Sequence, residues 1–85
     1  MVWVPSMMRD LTGGQDEVCA PGATVAEVVE ALEKAYPGFK DRLLVQGRLA
    51  PGLMATVDGK RAFRGLEQPV AEDSDVRFLP IMAGG

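Results

Sequence analysis

Residues 24–36 have the spacing of an amphipathic helix, and this stretch is flanked on both sides by strand patterns. Thr24 and Glu27 form a capping box before the helix, and the Pro37-Gly38 pair ends it. The sequence therefore predicts a helix that starts at Val25 and must cover its apolar face with a sheet. That face has residues at i, i+3, i+4, i+7 and i+11: Val25, Val28, Val29, Leu32 and Tyr36.

The segment before the helix predicts a β-hairpin. Val2 and Val4 alternate with Trp3 and Pro5, which is the period of a half-buried strand. Proline lacks a ladder donor, so we expect the strand to be disrupted near Pro5 and to end by Met8. Glycines in residues 11–14 then favour a turn into a second strand over residues 15–20.

The segment after the helix predicts the rest of the sheet. Phe39, Leu43 and Leu44 indicate a short helical turn or irregular packing, and Gly47 and Pro51-Gly52 mark loops. Strands are expected over residues 53–58, 61–63 and 75–81, with a tight turn at Asp58-Gly59. In the last strand, Val76 and Phe78 lie opposite Arg77 and Leu79.

These elements predict an α+β fold. A right-handed crossover through the helix places the last strand parallel to the first, in a mixed sheet with one main helix across one face. This arrangement is the β-grasp, or ubiquitin-like, fold. We expect a single β-grasp domain over residues 1–85, with a flexible tail at 82–85.

Composition excludes most catalytic machinery. The chain has no histidine, which rules out a Ser-His or Cys-His pair and a His-ligated metal. The single Cys19 provides no disulfide and no CxxC motif, so we expect no metal, no bound cofactor and a reducing compartment. A net charge of -3 disfavours nucleic acid and polybasic membrane contacts. Without a signal peptide or a long apolar run, the expected location is cytoplasmic.

The C-terminus is the one feature that suggests chemistry. An apolar strand continues into Met82-Ala83-Gly84-Gly85, and no charged residue follows Leu79. Because glycine has no Cβ, such a tail can pass through a narrow channel and present its α-carboxylate to a partner's active site. The alternative interpretation is an ordinary frayed chain end.

The sequence resembles the ThiS/MoaD family of ubiquitin-like sulfur carriers over nearly its whole length. The segment from Asp73-Ser74-Asp75-Val76 through Leu79-Pro80 to Gly84-Gly85 is similar to the family's last strand and terminus, with Ser74 where the family usually has glycine. Residues 24–28, Asp58-Gly59 and residues 66–70 are also similar to family segments. The N-terminal pattern resembles the branch that carries sulfur for cysteine biosynthesis: residues 2–6, Arg9 and Thr12-Gly13-Gly14-Gln15.

This resemblance implies a protein substrate and not an enzyme. An E1-like adenylating and sulfurtransferase partner would use ATP to activate the carboxylate of Gly85, next to Gly84, and a thiocarboxylate would follow. In the cysteine branch, a pyridoxal-phosphate-dependent cysteine synthase would accept the sulfur, and a metalloprotease would release the product. Pyridoxal phosphate and metal would therefore belong to partner enzymes only. The free carrier is expected to be a monomer.

Partner binding is expected to need an apolar patch, because two glycines offer little affinity. Leu79 is predicted to point outward, and Trp3 and Pro5 are predicted to share its solvent side. Trp3 packing onto its own domain is the alternative. The strand end and tail complete the predicted partner site: Pro80, Ile81, Met82 and Ala83.

Other candidate residues have simpler interpretations. Lys60-Arg61 with Arg64 forms a basic cluster that either meets an acidic partner or is a solvated face. Cys19 is expected to be passive. The carboxylates of Glu27, Glu30 and Glu33 are expected on the solvent face of the helix.

Several alternative functions remain open at this point. The same tail suits the small subunit of molybdopterin synthase, a carrier for thiamine or secondary-metabolite sulfur transfer, and conjugation to target proteins. A non-reactive β-grasp interaction module is the alternative from another class.

Overall fold

A five-stranded mixed sheet carries the main helix across one of its faces. The computed structural model describes residues 1–81, so the predicted tail and the predicted sites Met82, Ala83, Gly84 and Gly85 lie outside the described residues. The elements follow in chain order: β1 (Val2–Trp3), a 3-10 helix (Ser6–Thr12), β2 (Glu17–Val18), α1 (Val25–Ala35), α2 (Phe39–Leu43), β3 (Leu44–Val45), β4 (Arg48–Leu49), β5 (Leu53–Val57), β6 (Lys60–Arg61), a second 3-10 helix (Gly65–Glu67) and β7 (Val76–Pro80).

The strand order in the main sheet is β2-β1-β7-β5-β6, and β3 and β4 form a separate two-stranded sheet. β1 lies parallel to β7, with Val2 opposite Val76 and Trp3 opposite Arg77. β5 is antiparallel to both β7 and β6. The predicted β-grasp topology is therefore confirmed, including the parallel pairing of the first and last strands.

Helix α1 begins and packs as its spacing predicts. The Thr24 hydroxyl accepts a hydrogen bond from the Glu27 amide at 3.3 Å, and the Glu27 carboxylate accepts one from the Ala23 amide at 3.2 Å. The predicted stripe is buried except for Tyr36, which is half-buried and forms the C-cap. The stripe shares its core with inward residues of the sheet: Val2, Val4, Val18, Ala55, Val76 and Phe78.

The first hairpin differs from its prediction. β1 does pair antiparallel with β2, but it ends at Trp3, and residues 6–12 form a 3-10 helix where the sequence predicted a strand that fades by Met8 and then a hairpin turn. Pro5 has φ -57° and no amide hydrogen, and its carbonyl accepts from the Met8 amide at 2.8 Å, which closes the first helical turn. Gly13 ends this helix at φ +67°, so the glycines do not form a two-residue hairpin turn.

The region between α1 and β5 is more ordered than predicted. The short helical turn is present as α2, but β3 and β4 occur where only loop markers were expected. Gln46 and Gly47, at φ +53° and +75°, form the tight connection between these strands. The sequence does not reveal them because strands of two residues are too short to show a period.

The 3-10 helix that replaces the predicted strand is tied to α2. The Arg42 guanidinium donates to both carboxylate oxygens of Asp10, at 2.8 and 3.0 Å, and to the Met7 carbonyl at 3.2 Å. This geometry fixes the segment between β1 and β2 against α2.

None of the helices within residues 1–81 combines the length and the apolar character that a membrane span needs.

A hydrogen-bonded cluster joins the β5–β6 turn to the start of β7. Asp58, at φ +52°, accepts from the Ser74 hydroxyl and from the Asp75 amide, each at 2.9 Å. The same hydroxyl accepts from the Ala71 amide at 3.0 Å, and Ser74 is buried. The Ser74 side chain thus adds two hydrogen bonds to this turn.

The cluster lowers the pKa of Asp58 from its ordinary value of 3.8, mainly through the hydrogen bond from the Asp75 amide and then that from Ser74. A carboxyl with a lowered pKa in the folded state stabilises that state above its unfolded pKa and loses the effect as the pH falls. We therefore predict that Asp58→Asn lowers the Tm at pH 6 and that the difference from wild type shrinks below about pH 4.

Thermal unfolding followed by circular dichroism from pH 6 to pH 3 measures this effect. Asparagine tolerates positive φ and keeps one acceptor oxygen, but its amide nitrogen replaces the second, so the pH dependence of the Tm difference, and not its size, reports the charge. Asp73→Asn, at an exposed position of the same turn, is the matched control and is expected to leave the Tm unchanged. A Tm difference for Asp58→Asn that stays constant over this range would contradict a role for its ionised carboxylate.

Candidate partner-binding site

The end of β7 presents the predicted partner residues at the surface. Leu79 is 37% exposed, and Pro80 and Ile81 are exposed as well. The Ile81 amide donates to the Gly52 carbonyl at 2.7 Å, so hydrogen bonding to the segment just before β5 continues to the last described residue. The sheet therefore sets the position from which the chain enters residues 82–85.

A groove of about 280 Å³ lies beside this strand end, between β7 and the segment that follows β1. We call it the tail groove. Four of the predicted partner residues line it together: Trp3, Pro5, Leu79 and Pro80. The remaining lining residues are Val4, Ser6, Met7, Arg9, Arg77 and Phe78.

Trp3 is half-buried because Arg77 covers it. The guanidinium carbon of Arg77 lies 4.6 Å from the centroid of the Trp3 ring, in a cation–π arrangement. An ion pair to Asp75, with Nη2 3.1 Å from Oδ2, holds the same guanidinium in place. The Trp3 ring therefore packs on its own sheet and also forms one wall of the tail groove.

Three further side chains of the tail groove were not among the partner-binding residues predicted from the sequence. Met7 is 61% exposed, Arg9 donates from Nε to the Val4 carbonyl at 3.3 Å, and Arg77 covers Trp3. Met7 was assigned to a fading strand, and only the 3-10 helix turns it outward. Arg77 was placed on the outer face of its strand, but the parallel register with Trp3 is a tertiary feature.

The groove offers partners an apolar wall with two positive charges. Arg9 can donate from its remaining nitrogens to the carbonyl oxygens of a bound segment, whereas Arg77 is already paired with Asp75. Within residues 1–81, no group of three histidine, cysteine, aspartate or glutamate side chains is placed to hold a metal ion. Cys19 is exposed, and its Sγ lies 3.7 Å from the sulfur of Met1.

The chain is similar in sequence and in structure to known sulfur carrier proteins. The ThiS family profile matches residues 2–85. The sulfur carrier protein CysO of Mycobacterium tuberculosis is 35% identical over 99% of this chain and 96% of its own length. Among solved structures, the Amycolatopsis orientalis BexX/CysO complex matches with a TM-score of 0.90 and 34% identity, over 99% of this chain and 97% of that chain. The M. tuberculosis CysO crystal structure matches with a TM-score of 0.87 and 31% identity, over 95% and 97%.

The fold and its exposed strand end define a ubiquitin-like β-grasp protein. The chain belongs to the ThiS family. This result confirms the family that the motifs around Thr24, Asp58 and Asp75 indicated. Proteins of this kind act as small protein substrates rather than as enzymes.

The Trp3–Arg77 contact can be tested by fluorescence, since Trp3 is the only tryptophan in the chain. We predict that Arg77→Ala uncovers the ring, shifts its emission to longer wavelength and increases quenching by acrylamide. Loss of one exposed cation–π contact and one surface ion pair is expected to cost about 1 kcal/mol or less of unfolding free energy. Arg61→Ala is the matched control and is expected to leave the emission unchanged, because Arg61 covers Phe63 instead. Emission from Arg77→Ala identical to that of wild type would contradict the contact.

Proposed function

We propose that this protein carries sulfur for cysteine formation as a thiocarboxylate on Gly85. The observation that supports this most directly is the 35% identity to the sulfur carrier protein CysO over 99% of the chain. The Ala83-Gly84-Gly85 ending and the exposed strand end that precedes it agree with this role.

Activation would begin at the C-terminal carboxylate, which is a poor acyl donor by itself. In the active site of an E1-like partner, a Gly85 oxygen attacks the α-phosphate of ATP and pyrophosphate leaves. Sulfide sulfur delivered by the partner then attacks the carbonyl carbon, and AMP departs with the bridging oxygen. The product is a thiocarboxylate, whose sulfur is the nucleophile for the next step.

Transfer would take place on a pyridoxal-phosphate-dependent cysteine synthase. The thiocarboxylate sulfur forms a bond to the β-carbon of an unsaturated amino-acid substrate held by that enzyme. An S-to-N acyl shift then leaves cysteine joined to Gly85 through an amide bond. Hydrolysis of this bond by a metalloprotease releases cysteine and regenerates the carboxylate. The cofactor and the metal belong to the partners.

The carrier's own contribution is binding and placement. The tail groove gives partners an apolar and cationic surface next to the strand that leads into the tail. The Ile81 hydrogen bond to Gly52 holds that strand to its end, which lowers the entropy cost of guiding the remaining residues into a channel. The A. orientalis BexX/CysO complex supports the view that this fold serves a bound partner.

Mass spectrometry tests the proposed chemistry directly. We predict that the full chain, incubated with an E1-like enzyme of the same cell, ATP and a sulfide source, gains the mass difference of one sulfur replacing one oxygen at Gly85. Adding the cysteine synthase and O-phosphoserine is expected to add one cysteine to the same residue. A chain that ends at Ala83 is the control and should gain neither. An unchanged mass for the folded full chain with every E1-like enzyme of that cell would reject the carrier role and favour a non-reactive interaction module.

The tail groove makes a separate prediction about partner affinity. Leu79→Glu places a charge on the exposed apolar wall, so we expect KM for the carrier in thiocarboxylate formation to rise about tenfold, with kcat little changed. Val45→Glu introduces the same charge at another exposed apolar position, in β3, and should leave KM unchanged. Equal KM values for the two variants would contradict a binding role for the groove.

A further inference from the structure

Phe63 is the most exposed of the large apolar side chains in the described residues, at 85%. It follows edge strand β6, which lies next to β5 alone in the main sheet. The guanidinium carbon of Arg61 lies 5.5 Å from the centroid of the Phe63 ring, a cation–π contact that leaves most of the ring in solvent. A phenylalanine at this level of exposure is unusual, because this residue type is most often buried.

Positive charge is concentrated around this ring. Arg48, Arg61 and Arg64 are exposed and account for three of the nine basic residues of a chain with net charge -3. The ion pairs found within residues 1–81 join Lys40 to Glu30, Arg42 to Asp10 and Arg77 to Asp75. The three arginines near Phe63 take part in none of these pairs, so their charge is available to a partner.

A second groove of about 310 Å³ separates β4 from the segment after β6. Half-buried Leu49 and Leu66 provide its apolar part, and Arg48, Phe63 and Arg64 stand on its rim. We call this surface, with Arg61, the Phe63 edge. It is distinct from the tail groove, which lies at β1 and β7, because β5 separates β7 from β6 in the sheet.

We propose that the Phe63 edge binds an acidic segment of a partner protein, with an aliphatic side chain packed on Phe63 and in the groove beside it. Aromatic and arginine side chains are the residue types that contribute most to protein interfaces. The unpaired arginines complement carboxylates, and the half-buried leucines complement an apolar side chain. This inference does not depend on the thiocarboxylate chemistry.

An acidic protein segment fits better than nucleic acid. The chain as a whole is acidic, so a long polyanion that extends beyond the three arginines would meet repulsion from the surrounding surface. The edge offers one exposed aromatic ring, whereas nucleic-acid strands are bound on successive stacked rings. A short segment with a few carboxylates matches the size of the groove.

The test is an NMR titration of the 15N-labelled full chain with a short blocked peptide of alternating glutamate and leucine. We expect chemical-shift changes confined to residues 47–49 and 60–66, and weaker binding at high salt, since exposed charges are screened. A peptide with glutamine in place of glutamate is the matched probe and is expected to bind at least about fivefold more weakly.

Variants assign the site without disturbing the fold, since the residues changed are exposed. Arg61→Glu and Phe63→Ser are each expected to raise Kd for the glutamate peptide about fivefold or more. Lys34→Glu, at the exposed lysine in the last turn of α1, is the matched charge control and should leave Kd unchanged.

Three results would overturn the proposal. The first is the absence of chemical-shift changes, or changes spread over basic residues elsewhere, together with a Kd that neither Arg61→Glu nor Phe63→Ser alters. The second is equal binding of the glutamine peptide. The third is tighter binding of an oligodeoxythymidine at the same salt concentration, which would identify the edge as a nucleic-acid surface. Because no sulfur transfer is measured, failure here is distinguishable from failure of the carrier role.

Discussion

The parallel pairing of β1 with β7 beneath α1 is the interaction on which the rest of the structure depends. Val2 lies opposite Val76, and both are buried against the helix. At the start of the pair, the Met1 ammonium donates to the Ser74 carbonyl at 3.0 Å and the Val76 amide donates to the Met1 carbonyl at 2.9 Å. The first and last strands are thereby joined in one sheet, and burial of the apolar face maintains their register.

This pairing also creates the tail groove. It brings Trp3 next to Arg77, and it places Pro5 on the same groove as Leu79. Under the proposed function, partners would supply the catalytic groups, so the carrier would need a recognisable surface near its C-terminal end. The sheet provides this surface and holds the strand in place up to Ile81. The Phe63 edge, on the other side of β5, offers a second surface of different chemistry.

The sequence predicted an element correctly where the periodic pattern of its apolar residues extended over enough residues to be recognised. The stripe from Val25 to Leu32 spans two helical turns and was predicted correctly, together with its cap. The prediction for residues 6–12 was wrong because the alternation ends at Pro5, after which the i-to-i+3 bonding of a 3-10 helix turns Met8 inward and Met7 outward. Two-residue strands such as β3 leave no period to detect.

By itself, the sequence determined the fold class, the helix with its capping box, the alternating last strand and the Gly84-Gly85 ending. These features follow from local periodicity and from residue types with strong backbone preferences. Only the tertiary structure decided which side chains become neighbours across the sheet. Arg77 over Trp3, and the groove beside Phe63, arise from strand order and register, and these depend on contacts between residues far apart in the chain.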